Sequence, residues 1–67
     1  MNILIVEDEE DVCLAMVERL RELRGRAKDN IYHTFSAIPA LEILRRHPID
    51  LLITDVRLPG ESGLALI

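Results

Sequence analysis

The 67-residue sequence predicts an α/β protein built on a doubly wound parallel sheet. Two runs of consecutive apolar residues, at positions 3–6 and 51–53, are typical of strands that are buried on both faces of a parallel sheet. Between the strands, apolar residues recur at helical spacing, which gives the order β-α-β-α-β and right-handed crossovers. Strands 1 and 3 are apolar throughout and strand 2 is mixed, so we expect the spatial order 2-1-3 with strand 2 at an edge.

The first strand ends at Val6, and five acidic residues follow it at positions 7–11. A helix is predicted from about residue 11 to residue 24, where acids at its start and arginines at its end both suit the helix dipole. Gly25 is a suitable stop for this helix. The predicted apolar stripe consists of Val12, Met16, Leu20 and Leu23, with Cys13 and Val17 on its flank.

The second strand, predicted over residues 31–35, alternates in character as an edge strand does. Ser36 is a good N-cap for a second helix, and Pro39 falls in the first turn, where the lack of an N–H costs little. Pro48 ends this helix, and the third strand follows at residues 50–55. The apolar face of the second helix consists of Ala37, Ala40, Leu41 and Leu44.

The acidic composition, with a formal net charge of -4, argues against nucleic-acid binding by this chain, because no basic stripe could neutralise phosphates. The length allows one small domain, which we assign to residues 1–67. Cys13 is the only cysteine, which excludes an intramolecular disulfide and favours a reducing, cytoplasmic compartment. We expect no signal peptide and no membrane span, since the first apolar run is too short for either.

Three carboxylates are predicted to meet at the carboxyl edge of the sheet. Glu7 and Asp8 end strand 1 and Asp55 ends strand 3, where the strand order reverses and open α/β sheets bind ligands. Two carboxylates about 5 Å apart repel by about 3 kcal/mol at an effective dielectric of about 20, so they need a compensating charge. Mg²⁺ suits an all-oxygen site, and it would bridge Asp55 to a phosphoryl group that the carboxylate attacks. A solvated helix start is the preferred interpretation of the remaining acids, Glu9, Glu10 and Asp11.

The segments ILIVEDEEDV and DLLITDVRLPGESGLALI resemble the receiver domain of bacterial two-component response regulators. They share with it an acidic pair after strand 1, a lone Asp after strand 3 and an LPG-x-x-G loop at the expected interval. The resemblance covers the whole chain but only about the first half of the family's domain. It implies the flavodoxin-like receiver fold with strand order 2-1-3-4-5, of which strands 4 and 5 are missing from this sequence.

The resemblance also implies a role for each residue of the acidic edge. Asp55 resembles the phosphoacceptor, which takes a phosphoryl group from a sensor histidine kinase or a phosphotransfer protein and switches an output domain absent from this sequence. Asp8 resembles the acid that ligates Mg²⁺ directly, and Glu7 the acid that usually acts through water. Asp55 itself and the backbone carbonyl of Arg57 would complete the protein's ligands. Such a domain is a switch rather than an enzyme.

This chain departs from the family in two respects. Glu7 stands where Asp is commoner, which could alter how the water shell of the metal is held. The family's Thr or Ser after strand 4, its Lys after strand 5 and its switch aromatic have no counterpart among these 67 residues.

Two other functions remain open at the level of sequence. A phosphatase of the haloacid dehalogenase type also uses an Asp nucleophile after a strand, but such enzymes place a second Asp two residues later, where this chain has Arg57. A receiver-like module that cannot be phosphorylated would bind partners only. Each alternative has its own test, which is turnover of phosphate esters for the first and partner binding without phosphate uptake for the second.

The sequence also gives expectations for the exposed strand edge and for the two histidines. Without a fourth strand, the apolar third strand presents an unpaired edge, and we expect the 67-residue chain to form homodimers or strand-exchanged oligomers through it. His33 is interpreted as a surface or half-buried residue of the edge strand, and His47 as a helix-end residue that suits the dipole.

Overall fold

The structure is a computed structural model, and it describes residues 1–25 and 28–54. The predicted order of elements is confirmed, and the predicted bounds of the strands and of the first helix agree to within one residue. The elements are β1 (Asn2–Val6), α1 (Glu10–Arg24), β2 (Asn30–Thr34), α2 (Ala37–Arg46) and β3 (Leu51–Thr54). No helix in these two ranges combines the length and the apolar character that a membrane crossing requires.

The three strands form one parallel sheet in the predicted order β2-β1-β3. β1 lies in the centre because its apolar run has no polar face to offer solvent, and residues 3–6 are at most 1% exposed. In register, Ile5 lies between His33 of β2 and Ile53 of β3. This arrangement is the doubly wound α/β fold that the sequence predicts.

One helix covers each face of the sheet, so alternate residues of β1 belong to two different clusters. The α1 side consists of Ile3, Ile5, Cys13 and Val17. The α2 side consists of Leu4, Val6, Ala37 and Ala40. Ala37 and Ala40 are buried, so α2 presents its two smallest side chains to the strands, as predicted.

The predicted apolar stripe of α1 is wrong in its position around the helix. Val12 and Leu23 are 41% and 66% exposed, whereas Cys13 is fully buried and Val17 is 5% exposed. Met16 and Leu20 are partly buried against the same cluster. The true face therefore follows the spacing i, i+3, i+4, i+7 from Cys13, and it is rotated from the predicted face toward the residues that were placed on its flank.

Two smaller expectations also need correction. β3 was predicted to be buried on both faces, but Leu51 is 43% exposed and the rest of the strand is half-buried, because only β1 adjoins it in the described part of the chain. Ser36 does occupy the N-cap position of α2, yet its side chain makes no capping hydrogen bond. The last residue of the predicted third strand, Asp55, lies outside the described residues.

Candidate functional site

The acidic pair Glu7 and Asp8 lies where the central strand ends. The backbone N–H of Glu7 donates a 3.1 Å hydrogen bond to the Thr34 carbonyl, which extends the pairing of β1 with β2 by one residue. Glu7 is half-buried and Asp8 is exposed. On the other side of β1, Val6 is in register with Thr54, the last described residue of β3. The predicted carboxyl edge is thus present, with two acids at its centre.

The side chain of Glu7 is turned toward the start of α1. Its Oε1 accepts a 3.3 Å hydrogen bond from the backbone N–H of Glu9, the N-cap residue of that helix. Glu10 and Asp11 follow in the first turn and are exposed, where the partial positive charge of the helix N-terminus favours acids. The loop between β1 and α1 therefore carries its acids around one helix start.

Cys13 lies directly beneath this loop and is fully buried. Its Sγ lies 3.9 Å from the Thr34 carbonyl oxygen, to which the thiol donates. Burial, and to a lesser extent the negative charge of Glu7, raises the pKa of the Cys13 thiol. Cys13 is thus a small core residue, and its thiol stays protonated at neutral pH.

The metal site predicted from the sequence is only half described. Glu7 and Asp8 are two of its four predicted ligands, whereas Asp55 and Arg57 lie outside the described residues. Within the two described ranges, no three His, Cys, Asp or Glu side chains come together in a way that could hold a metal ion. The full ligand set therefore stays a prediction.

His47 makes a contact that the sequence does not predict. The ring of His47 stacks on that of Tyr32 with 4.8 Å between their centroids, and the Tyr32 hydroxyl lies 3.5 Å from His47 Nδ1. The backbone N–H of His47 also closes α2 by donating to the Ile43 carbonyl. No local sequence pattern predicts this pair, because it depends on how the end of α2 packs over β2. His33 is exposed, in line with its prediction.

A parallel sheet whose central strand is followed by acids at the point of strand reversal is that of a doubly wound α/β protein, the class in which ligands bind at the carboxyl edge of the sheet. Residues 3–67 match the family described as the response regulator receiver domain, and the chain belongs to that family. The resemblance seen in the sequence is confirmed.

Several curated proteins are similar to this chain. It is 42% identical to the response regulator protein PilR of Pseudomonas aeruginosa over 96% of its length and 14% of that protein. It is 37% identical over its whole length to the transcriptional regulatory protein MalR of Bacillus subtilis, of which it covers 28%. It is 41% identical, again over its whole length, to the two-component response regulator ORR22 of Oryza sativa, of which it covers 9%. The chain thus spans less than a third of each of these relatives.

Proposed function

We propose that this chain is the phosphoacceptor part of a two-component signalling protein, and that Asp55 receives the phosphoryl group. One observation carries the proposal. Glu7 and Asp8 end the central strand beside Thr54, and Asp55 is the next residue of the chain, in a family whose members are response regulators. The phosphoryl donor would be the phosphohistidine of a sensor kinase or of a phosphotransfer protein.

The residues of the acidic edge suit Mg²⁺ by the chemistry of their donors. Glu7, Asp8, Asp55 and the Arg57 carbonyl offer oxygen only, which is the donor that Mg²⁺ prefers. Bound there, Mg²⁺ would neutralise part of the charge on the phosphoryl oxygens. Asp55 then attacks phosphorus, and the bond to the donor imidazole nitrogen breaks as the carboxylate oxygen bonds. The leaving imidazole takes up one proton from solvent, so the products are an acyl phosphate on Asp55 and a neutral histidine on the donor.

The phosphorylated chain would act as a switch rather than as an enzyme. The relatives are named as transcriptional and response regulators and are several times longer than this chain, which supports an output module outside these 67 residues. The acidic chain itself is not the nucleic-acid binder in this proposal. We place the reaction in the cytoplasm, where a buried thiol such as that of Cys13 stays reduced.

Phosphorylation of the full-length protein by acetyl phosphate and Mg²⁺ tests the assignment. We expect one acid-stable, base-labile phosphoryl group that maps to Asp55 and is absent from Asp55→Asn. Asp50→Asn is the matched control, because Asp50 precedes the same strand at its opposite end. A phosphoryl group on any other residue, or full labelling of Asp55→Asn, would contradict the proposal. In the 67-residue polypeptide by itself we expect uptake to be slower by about 10²–10³, since the family's later Lys and hydroxyl residues are preorganised donors that it lacks.

We also propose that the 67-residue polypeptide self-associates through the outer edge of β3. Leu51 is 43% exposed, and β3 pairs with β1 alone in the part of the chain that the structure describes. An open apolar edge invites pairing with a second copy. Light scattering over a dilution series should show dimers or larger species. A folded species that stays at the monomer mass at high concentration would contradict this proposal.

A further inference from the structure

The Thr34 carbonyl is a junction between β1, β2 and α1. It accepts the Glu7 backbone N–H at 3.1 Å and the Cys13 thiol at 3.9 Å. We propose that Cys13 is a positioning residue for the acidic pair, and that it fixes the Glu7 carboxylate through this carbonyl and through the start of α1. The inference deepens the proposed function and rests on the assignment of Glu7 and Asp8 to the metal site.

Cys13 reaches Glu7 by two separate routes. The first route runs through the side chain, from the thiol to the Thr34 carbonyl and on to the Glu7 N–H. The second route runs through the backbone, since the Cys13 N–H donates to the Glu9 carbonyl at 2.9 Å and the Glu9 N–H donates to the Glu7 carboxylate. The main chain of Glu7 is therefore linked to the Cys13 thiol, and its carboxylate is linked to the Cys13 backbone. Only the first link depends on the cysteine side chain, so substitutions at position 13 test that link.

Thr34 is itself fixed, so the junction is a firm support. Its side chain is buried, and its hydroxyl donates a 3.2 Å hydrogen bond to the Ser36 carbonyl in the turn after β2. Thr34 is thus bonded to the turn that follows β2 through its hydroxyl, and to Glu7 and α1 through its carbonyl. If Cys13 shifts, we therefore expect the loop between β1 and α1 to move while Thr34 stays in place.

The chemistry of cysteine suits the position. Cys13 is fully buried in one cluster with Ile3, Ile5 and Val17. The protonated thiol adds a donor without a charge beside Glu7. A residue such as Ala would keep the packing approximately but would lose the donor, whereas Ser would keep a donor.

Val17 provides a matched control for a purely structural role. It lies one turn further along the same face of α1 and belongs to the same buried cluster as Cys13. Its side chain has no polar atom, so it cannot donate to the Thr34 carbonyl. Val17→Ala should therefore loosen the core without releasing the acidic loop.

The first measurement is hydrogen exchange in the full-length protein without metal. Cys13→Ala should lower protection of the Glu7 amide about tenfold beyond any change in the β1 amides, because the Thr34 carbonyl that accepts from Glu7 loses its hydrogen bond to α1. Val17→Ala should lower the protection of all β1 amides and of the Glu7 amide to the same extent. Cys13→Ser should restore the protection of the Glu7 amide. Equal behaviour of Cys13→Ala and Val17→Ala at Glu7 would overturn the inference.

The second measurement is Mg²⁺ affinity of the same proteins. Cys13→Ala should weaken binding about tenfold, the lower end of the range for residues that orient metal ligands. Val17→Ala and Cys13→Ser should stay within about threefold of the wild type on the same scale. If the wild type binds no Mg²⁺, the proposed function fails, and the exchange measurement alone decides the role of Cys13. If it binds but Cys13→Ala and Val17→Ala weaken it equally, the positioning role fails and the metal site stands.

Discussion

The two ends of the sheet use their polar residues in opposite ways. At the amino end, the side chain of Asn2 joins β1 to β2 and to the segment that precedes β3: its Nδ2 donates to the Pro48 carbonyl at 2.9 Å, and its Oδ1 accepts from Asn30 at 3.0 Å. Its backbone N–H donates to the Asp50 carboxylate at 2.7 Å. At the carboxyl end, no ion pair holds Asp8 within residues 1–25 and 28–54. The amino end thus uses its polar groups for structure, whereas at the carboxyl end we propose that Asp8 serves a ligand.

The charged residues at the two ends of the sheet differ in the same way. At the amino end, Asp29 bonds both the Arg24 guanidinium and the Met1 amino group, and its side chain is only 5% exposed. Hydrogen bonds from Arg24 and then from the Met1 amino group lower the pKa of Asp29 to about 2. At the carboxyl end, Glu10 and Asp11 lie in the first turn of α1, where the partial positive charge of the helix start favours acids. The ion pairs of Asp29 thus lie at the end of the sheet opposite to the proposed site.

The largest expected effect is a difference in Mg²⁺ affinity between substitutions at the two ends of the sheet. Asp8→Asn should weaken Mg²⁺ binding by more than about 100-fold, because the loss of a direct ligand exceeds the range for outer-shell partners. Asp50→Asn, at the opposite end, should leave the affinity unchanged. Titration of Mg²⁺ into the full-length protein, followed by amide chemical shifts, measures both. An identical response from Asp8→Asn and the wild type would remove Asp8 from the site.

Stability should respond in the reverse pattern. Asn2→Ala removes two side-chain hydrogen bonds that join strands and should lower the free energy of unfolding by about 2 kcal/mol. Asp11→Ala, an exposed change at the carboxyl end, should stay within about 0.5 kcal/mol. Urea unfolding of both variants tests the contrast. Equal losses would mean that Asn2 does not hold the strands together.

Acid should act on the amino end through Asp29. Its pKa of about 2 in the folded state lies below the ordinary value of 3.8, so the folded chain binds fewer protons there. The stabilisation is therefore complete above about pH 4 and is lost as the pH falls toward about 2. Unfolding midpoints measured across this range should fall more steeply for the wild type than for Asp29→Asn. Parallel curves would show that Asp29 keeps its partners in the unfolded chain or never binds them.

The fold could be predicted because burial follows directly from the apolar run in residues 3–6 and from the helical spacing around it. The rotation of α1 could not, since a stripe with Val12 and one with Cys13 differ by a single position, and packing against β1 decides between them. The same limit explains why the contacts of Asn2 with Pro48 and of Tyr32 with His47 escaped prediction. They depend on strand register and on the path of the crossovers, which no local pattern encodes.

The site was predicted to the extent that strand ends locate it. Glu7 and Asp8 lie at the expected edge because they follow a strand whose position the hydrophobic pattern determines. The support beneath them was not foreseen, since the link from Cys13 to Glu7 passes through a carbonyl of a different strand. The positions of Asp55 and Arg57 stay predictions, which phosphorylation and metal titration address.

The smallest expected effect has the opposite sign to that of Asn2→Ala. Without Mg²⁺, Asp8→Asn should raise the free energy of unfolding by about 0.3 kcal/mol, because two charges about 7 Å apart in water repel by about 0.6 kcal/mol before salt screening. Asp8 has several acidic neighbours in the sequence, and we expect their summed repulsion to exceed its attraction to the helix start. Added NaCl should therefore stabilise the wild type more than the variant. Saturating Mg²⁺ should reverse the order, since the ion stabilises only the protein that binds it. A variant that is less stable than the wild type in the absence of metal would show that Asp8 serves the fold, and the contrast between the two ends of the sheet would not hold.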